Sequence, residues 1–159
     1  MNIAIQLYTL RDSYDNKEEF KAVLRKVKEL GYDGVEFAGY AGFEAEELRC
    51  FLNDIKLIPL SSHHSIEGLD ADLEAVLEYD KKLGCKYVVC AYAPTSTMEE
   101  LIYIKKVMER AKTAIKFYPM ELAYHNHTHE FMPLPDGTIP MEEIGKVSKL
   151  EVDTYWVFQ

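Results

Sequence analysis

Two similar junctions decide the fold: LGYDGV at residues 30–35 and LGCKYV at residues 83–88. In each, an amphipathic segment ends at Leu-Gly, and an apolar run begins two residues later. Glycine accepts the left-handed conformation that ends many helices. Short apolar runs rich in Val, Ile and Tyr are typical of buried parallel strands. The repeated junction therefore predicts a repeated unit in which a helix leads into a parallel strand.

On either side of these junctions the chain alternates apolar runs with amphipathic segments. We predict strands at Ile3–Leu7, Gly34–Phe37, Ile58–Ser62, Tyr87–Cys90, Leu122–His125 and Leu150–Asp153. Their starts are on average about 29 residues apart, which suits a strand with its crossover helix. A complete barrel of eight such units takes roughly 240 residues. We therefore predict an α/β protein with a TIM-type barrel fold that carries only the first six β/α units. An open sheet is the alternative.

Capping patterns mark the helix ends. Asn16 with Glu19 is typical of a helix start, and Gly31 supplies a left-handed stop. Thr97 with Glu100 marks the start of a later helix in the same way. No flexible linker divides the sequence, so residues 1–159 are predicted to form a single domain, incomplete at its C-terminal end.

The charge and the cysteines restrict the class of protein. The chain has 27 acidic and 18 basic residues, and a net charge of −9 disfavours nucleic acid and anionic lipid as partners. Its apolar runs are shorter than the roughly 18 residues of a membrane span, and the N-terminus does not resemble a signal peptide. Cys50, Cys85 and Cys90 form an odd set that is typical of buried thiols in a reducing compartment. We expect a cytoplasmic protein.

Chemically active side chains lie where the predicted strands end. The first strand leads into Tyr8, the second ends near Glu36, the third leads to His63, and the fifth and sixth end at His125 and Asp153. The carboxyl ends of parallel strands meet at one edge of the sheet. We therefore expect these side chains to converge there.

Imidazole and carboxylate groups are the ligands of Zn, Mn, Fe and Co in proteins. His125 and Asp153 come from adjacent predicted strand ends, so they are candidate metal ligands. Alternatively, the histidines are polar loop residues, and Glu36 is held by a salt bridge. His127 shares a face with His125 if the chain is extended. Trp156 either forms the floor of a sugar site or fills the core.

These residues lie within longer stretches that resemble those of a known family. The sequence resembles the sugar phosphate isomerase/epimerase family, the xylose isomerase-like TIM barrels. The matching stretches keep their order and spacing over nearly the whole chain: QLYTLRD (6–12), LGYDGVEFAGY (30–40), SSH (61–63), LGCKY (83–87), YHNH (124–127), EF (130–131) and DTYW (153–156). The likeness is specific for the superfamily and does not identify a substrate.

The resemblance implies a divalent metal ion (Mn, Zn, Mg, Fe or Co) at the top of the barrel. The family's usual ligands are a glutamate, an aspartate, a histidine and a glutamate from strands five to eight. Asp153 matches the aspartate of strand six. His125 stands where many members have the glutamate of strand five, a variation that is also seen in a subgroup. That glutamate often moves protons, so the proton transfer here falls to another group, for which imidazole is suited.

By the same resemblance, the predicted function is a sugar or sugar phosphate isomerase/epimerase that transfers a proton through a metal-stabilised enediolate. The expected catalytic residues are Glu36, His63 and His125. The expected substrate-binding residues are Tyr8, His127 and Trp156. One alternative is an inosose-type dehydratase on the same scaffold. Another is an incomplete barrel that binds a sugar or a partner subunit without turnover.

An incomplete barrel also has a predicted weakness at its first and sixth strands. Each is an edge with unpaired N–H and C=O groups. We expect a second copy of the chain, a strand exchange or further residues to cover these edges.

Overall fold

The computed structural model describes residues 3–159, and its strands form one parallel sheet of six. The strands follow each other in chain order and each pairs with the next: β1 (Ala4–Gln6), β2 (Gly34–Phe37), β3 (Ile58–Ser65), β4 (Tyr87–Tyr92), β5 (Glu121–His125) and β6 (Lys149–Glu151). The sheet curls into a partial barrel with helices between successive strands. This confirms the predicted TIM-type fold and its six β/α units.

Helices occupy the segments between and after the strands. They are α1 (Lys17–Glu29), α2 (Ala45–Ile55), α3 (Ile66–Ala71), α4 (Leu73–Leu83), α5 (Met98–Ala114), α6 (Pro140–Gly145) and α7 (Thr154–Val157). The predicted starts are confirmed, since Asn16 caps α1 and Thr97 forms a capping box with Glu100 on α5. Gly31 and Gly84 adopt positive φ angles of 94° and 96°, as the two Leu-Gly junctions predict.

Five of the six strands differ in extent from the prediction, and three of these differences bear on the candidate site. β1 ends at Gln6 because residues 7–13 form a 3₁₀-helix. β3 continues to Ser65, so both of its histidines are strand residues and not loop residues. β6 ends at Glu151, and Asp153 lies beyond it as the N-cap of α7, where its Oδ1 accepts from the Tyr155 N–H at 2.9 Å. The predicted end of the sixth strand was wrong because this carboxylate begins a helical turn.

The core lies between the sheet and the helices. Apolar side chains from both layers are buried there, among them Phe20, Phe37, Leu52, Leu77 and Val88. Strands β2 and β3 approach so closely that a Cβ on Gly34 would lie 2.8 Å from the carbonyl oxygen of Ile58. This position therefore accepts only glycine without a shift of the backbone.

The cysteines follow the prediction in part. Cys85 and Cys90 are buried, whereas Cys50 is exposed, and all three are free thiols. Burial raises the pKa of Cys90 to about 12, so this thiol stays protonated and is a poor nucleophile.

The two outer strands each have one partner. β1 pairs with β2, and β6 pairs with β5. Apolar side chains near β6 are open to solvent, including Leu150, Val152 and Phe158. That another chain or segment covers these edges remains a prediction. Over residues 3–159, none of the helices is both long enough and apolar enough to cross a membrane.

Candidate functional site

Alternation along β3 sends its polar side chains to opposite sides of the sheet. Ser61 and His63 point to the concave side, toward groups on β2 and β6. Ser62 and His64 point to the convex side, toward helix α4. One short strand therefore supplies side chains to two separate polar clusters.

The concave cluster joins three strands that are not all neighbours in the sheet. Glu36 of β2, His63 of β3 and Glu151 of β6 offer ligand atoms that all lie within 4.8 Å of one another. His63 Nε2 lies 2.9 Å from Glu151 Oε1, and His125 Nδ1 lies 3.2 Å from the same oxygen. Two imidazoles therefore approach one oxygen of Glu151, and the Glu36 carboxylate lies beside His63 and Glu151.

The two ring nitrogens are close to Glu151 but are not satisfied by it. His63 Nε2 and His125 Nδ1 are buried and have no hydrogen-bond partner of acceptable geometry among the described residues. Buried polar atoms without partners are rare in folded proteins. Two imidazoles and one carboxylate form a ligand set that catalytic zinc sites use, and ligand atoms on one ion lie about 3 Å apart. The donor types therefore suit a divalent cation at Glu151, which has His63 and Glu36 within 4.8 Å and His125 Nδ1 at 3.2 Å.

The electrostatics of the cluster separate its two carboxyl groups. Burial and the charge of Glu151 raise the pKa of Glu36. Burial by itself would raise the pKa of Glu151, but the His125 and His63 imidazoles outweigh it and lower this pKa to about 2. Burial lowers the pKa of His125, but the Glu151 carboxylate outweighs it, so the net shift is upward. Paired groups whose pKa values are pushed apart are typical of acid and base pairs. Glu151 stays ionised, and Glu36 is the carboxyl that takes a proton more readily.

A third carboxylate, that of Glu130, orders the loop that follows β5. Glu130 is fully buried, accepts the Tyr124 hydroxyl at 2.9 Å and accepts the backbone N–H of His127 at 2.7 Å. His129 Nε2 lies 3.3 Å from the same carboxylate. Trp156 packs against His127, with ring centroids 5.3 Å apart. Glu130 therefore sets the loop conformation and, through it, the position of the His127 ring.

A cavity of about 420 Å³ opens at the carboxyl ends of the strands beside this cluster. Its walls combine imidazoles, aromatic rings and small side chains: Gln6, Tyr8, Ala38, His63, His64, Ser65, Ala91, Tyr92, His125 and His127. A volume of this size is typical of a small-molecule site.

The structure places the candidate residues as follows. It brings together Glu36, His63 and His125, the three expected catalytic residues, and sets Tyr8, His127 and Trp156 along the cavity or against its wall. Asp153 lies outside the compact cluster, and its Oδ1 is engaged by the backbone of α7. Its role as a metal ligand remains a prediction.

Glu151 is the functional candidate that the sequence analysis missed. It is the last residue of β6 and pairs in register with His125. A carboxylate at a strand end was the right signal, but the predicted strand ran two residues too far.

Asn126 joins the segment after β6 to β5. Its Oδ1 accepts from the Asp153 N–H at 2.8 Å, and its Nδ2 donates to the Asp153 carbonyl oxygen at 3.2 Å. The Asn126 side chain is fully buried. This pair of hydrogen bonds reproduces a rung of a β-ladder with a side chain in place of one strand.

The sequence comparisons found no relative. No family model matches the chain, and no curated protein matches it.

Comparison with solved structures shows the fold. A sugar phosphate isomerase/epimerase from Parabacteroides distasonis superimposes with a TM-score of 0.82 at 19% identity, over 99% of this chain and 66% of that one. The chain has the fold of a xylose isomerase-like TIM barrel. An L-ribulose 3-epimerase matches this barrel with a TM-score of 0.72 at 16% identity, over 99% of this chain and 62% of that one.

A third structure is of interest for the candidate metal centre. The IolI protein with a bound zinc atom matches the barrel with a TM-score of 0.67 at 17% identity, over 92% of this chain and 59% of that one. The chain thus spans between 59% and 66% of the length of these three structures.

Proposed function

We propose that this chain is a metal-dependent isomerase or epimerase of sugars or sugar phosphates, acting by proton transfer next to a carbonyl group. The observation that carries the proposal is the pair of buried, unpartnered imidazole nitrogens at 2.9 and 3.2 Å from one oxygen of Glu151. The cavity beside them and the fold that the chain shares with sugar isomerases and epimerases support it.

In this proposal His63, His125 and Glu151 hold a divalent cation. When bound, such an ion supplies Lewis-acid polarisation of a substrate carbonyl group. The identity of the ion is left open among Mn, Zn, Mg, Fe and Co, and zinc is the ion of the IolI structure. Glu151 contributes the negative charge, because its pKa of about 2 keeps it ionised at neutral pH.

Glu36 is the proposed proton-transfer group. Its carboxylate lies in the same cluster, accepts the Ser61 hydroxyl at 3.0 Å and has a raised pKa. A raised pKa makes a carboxylate a better base at neutral pH. Removal of the proton beside the carbonyl gives an enediolate. Return of the proton to the neighbouring carbon gives isomerisation. Return of the proton to the opposite face of the same carbon gives epimerisation.

The cavity walls suit a sugar. Tyr8 and Tyr92 present rings that can stack on the apolar face of a sugar, and the imidazole of His127 offers a polar contact. The dehydratase alternative shares the first proton abstraction and differs in its next step, which is loss of a hydroxyl group. Product analysis separates the two.

The test is proton exchange in deuterated water. The metal-stripped chain is reloaded with Mn²⁺ or Zn²⁺, incubated with a panel of ketoses that includes L-ribulose and D-fructose, and followed by proton NMR. We expect loss of the signal of a carbon-bound proton with the loaded chain, and none with Glu36→Gln. Glu18→Gln is the matched control, because Glu18 lies on the exposed face of α1. Equal exchange by Glu36→Gln and the unmodified chain, or no exchange with any ketose, would overturn the proposal.

A further inference from the structure

The convex side of β3 carries a polar cluster centred on Asp80 of α4. Asp80 is fully buried. Its Oδ1 accepts the Tyr40 hydroxyl at 2.5 Å, and its Oδ2 accepts the Ser62 hydroxyl. His64 Nε2 lies 2.9 Å from Oδ2. Over residues 3–159, His64 is the only basic side chain in contact with this carboxylate.

The contacts of Asp80 determine which nitrogen of His64 carries the proton. Both hydroxyl groups direct their protons to the carboxylate, and Asp80 helps burial to raise the pKa of Tyr40, so the phenol keeps its proton. A lone pair on His64 Nε2 would face a buried carboxylate oxygen at 2.9 Å, which is repulsive. Nε2 therefore carries a proton that it donates to Asp80, and the lone pair of the neutral ring is on Nδ1.

The His64 ring, which contacts Asp80, also lines the cavity at the carboxyl ends of the strands. His64 lines it together with Tyr8 and Tyr92. Its Nδ1 has no hydrogen-bond partner among the described residues, and it is not one of the buried atoms that lack a partner, so it is open to solvent. The ring that lines the cavity therefore offers a solvent-open acceptor, and a buried carboxylate sets its orientation.

We infer that His64 Nδ1 binds a hydroxyl group of a polyhydroxylated ligand in this cavity, and that Asp80 is the positioning residue that fixes the required tautomer. The ligand class rests on the proposed function. The tautomer and the direction of the acceptor rest on the Asp80 contacts alone. While the ring is neutral, an acceptor with a fixed tautomer favours a hydroxyl group over a carbonyl oxygen at this point, and so contributes to specificity.

Nitrogen-15 NMR of the histidine rings tests the tautomer. Spectra are recorded at about pH 8.5, where free imidazole is neutral, with EDTA present. We expect His64 in the Nε2–H form, with its resonances assigned by their absence in His64→Gln. Asp80→Asn should shift it to the Nδ1–H form, because the asparagine amide donates to Nε2. Ser62→Ala is the matched control, since it removes a hydroxyl that contacts both Asp80 and His64 Nε2 and leaves the His64–Asp80 pair in place. An Nδ1–H tautomer in the unmodified chain overturns the inference, even if Asp80→Asn does not fold.

Titration with L-ribulose tests the ligand. Acceptance of a hydroxyl proton should move the Nδ1 resonance in the unmodified chain, with no such response in Asp80→Asn. His64→Leu should raise KM about tenfold and change kcat less than about twofold, and His64→Gln, whose amide oxygen can accept, should recover part of the loss. Turnover of L-ribulose without a response of Nδ1 overturns the inference and leaves the proposed function standing. A response of Nδ1 to L-ribulose without proton exchange supports the inference and overturns the proposed function.

Discussion

His63 and Glu151 are in contact across the sheet, with Nε2 and Oε1 2.9 Å apart, although β4 and β5 lie between their strands. Neighbouring parallel strands are about 4.8 Å apart, so a flat sheet would separate β3 and β6 by roughly three such steps. Only a strongly curled sheet brings these side chains together. The candidate site is therefore a direct result of barrel curvature.

Removal of the Glu151 carboxylate should weaken metal binding more than any other single change in the cluster. Glu151→Gln keeps the size of the side chain and removes the charge that both imidazoles approach. We expect the affinity for Zn²⁺ or Mn²⁺ to fall about 100-fold or more, as measured by isothermal titration calorimetry. Glu121→Gln is the control, because Glu121 pairs with Lys149 at the opposite end of the same strands. Equal affinities for the two variants would rule out Glu151 as a ligand.

His125 should be required for turnover and not for folding. It lies at the end of β5 beside the cavity, where its ring contacts the Glu151 carboxylate and the rings of His63 and His127. His125→Ala is expected to abolish proton exchange while the circular dichroism spectrum is unchanged. His125→Glu is expected to retain metal binding, because a carboxylate replaces the imidazole as ligand. Unchanged exchange and metal content in His125→Ala would show that His125 is not part of the site.

Acid should destabilise the metal-free chain through Glu151. Its pKa is lowered from 4.5 to about 2, so its ionisation contributes stability above about pH 4.5 that is lost as the pH falls toward 2. The raised pKa of His125 acts in another window, because its contribution is complete below pH 6.5 and is lost as the pH rises through the folded-state value. Glu151→Gln should flatten both dependences.

Urea unfolding at stepped pH, with EDTA present, measures this effect as the free energy of unfolding. Glu36 has a raised pKa and acts with the opposite sign to Glu151, and because the Glu151 charge causes part of that shift, Glu151→Gln also reduces the Glu36 contribution. Parallel pH profiles for the unmodified chain and Glu151→Gln would contradict the assignment.

Glu130 should be a large contributor to stability. Glu130→Ala leaves the Tyr124 hydroxyl and the His127 N–H without their buried acceptor. We expect a loss of about 3 kcal/mol in the free energy of unfolding, determined by urea titration. Glu109→Ala, on the exposed face of α5, is the control and should change stability by less than about 0.5 kcal/mol. A loss no larger than that of the control would mean that the loop does not depend on Glu130.

Loss of the capping box of α5 should lower the free energy of unfolding by a smaller amount. Thr97 Oγ1 accepts from the Glu100 N–H at 3.2 Å, and Glu100 Oε2 accepts from the Thr97 N–H at 3.0 Å. Thr97→Ala should cost about 1 kcal/mol of unfolding free energy, measured by thermal or urea unfolding. Thr113→Ala near the end of the same helix should cost less, because the Thr113 hydroxyl bonds only the Glu109 carbonyl of its own helix. A reversed order would refute the role of the cap.

The fold could be predicted from local chemistry because its signals repeat. Gly31 and Gly84 adopt the positive φ that their Leu-Gly junctions predict, and the apolar runs after them became β2 and β4. The residues at which the strands end were harder to predict. The second half of β3 lacks the apolar run that predicts a strand, because its polar side chains bond to groups across the sheet and on α4.

The sequence predicted most residues of the candidate site but not how they are arranged. Glu36, His63 and His125 are recognisable as polar groups at strand ends, and the barrel brings them together. Glu151 was assigned to strand interior because the sequence does not show that Asp153 begins a helical turn. His64 and Asp80 could not be paired from the sequence, because their contact depends on how α4 packs over β3.

The rung formed by Asn126 has a mechanical consequence. Its amide ties the segment after β6 to the end of β5 through one donor and one acceptor, so these two hydrogen bonds fix the position of one segment against the other. Aspartate at this position would set a second acceptor against the Asp153 carbonyl, and glutamine would be one methylene too long. The stiffness of this part of the cavity rim therefore depends on a single carboxamide of one length.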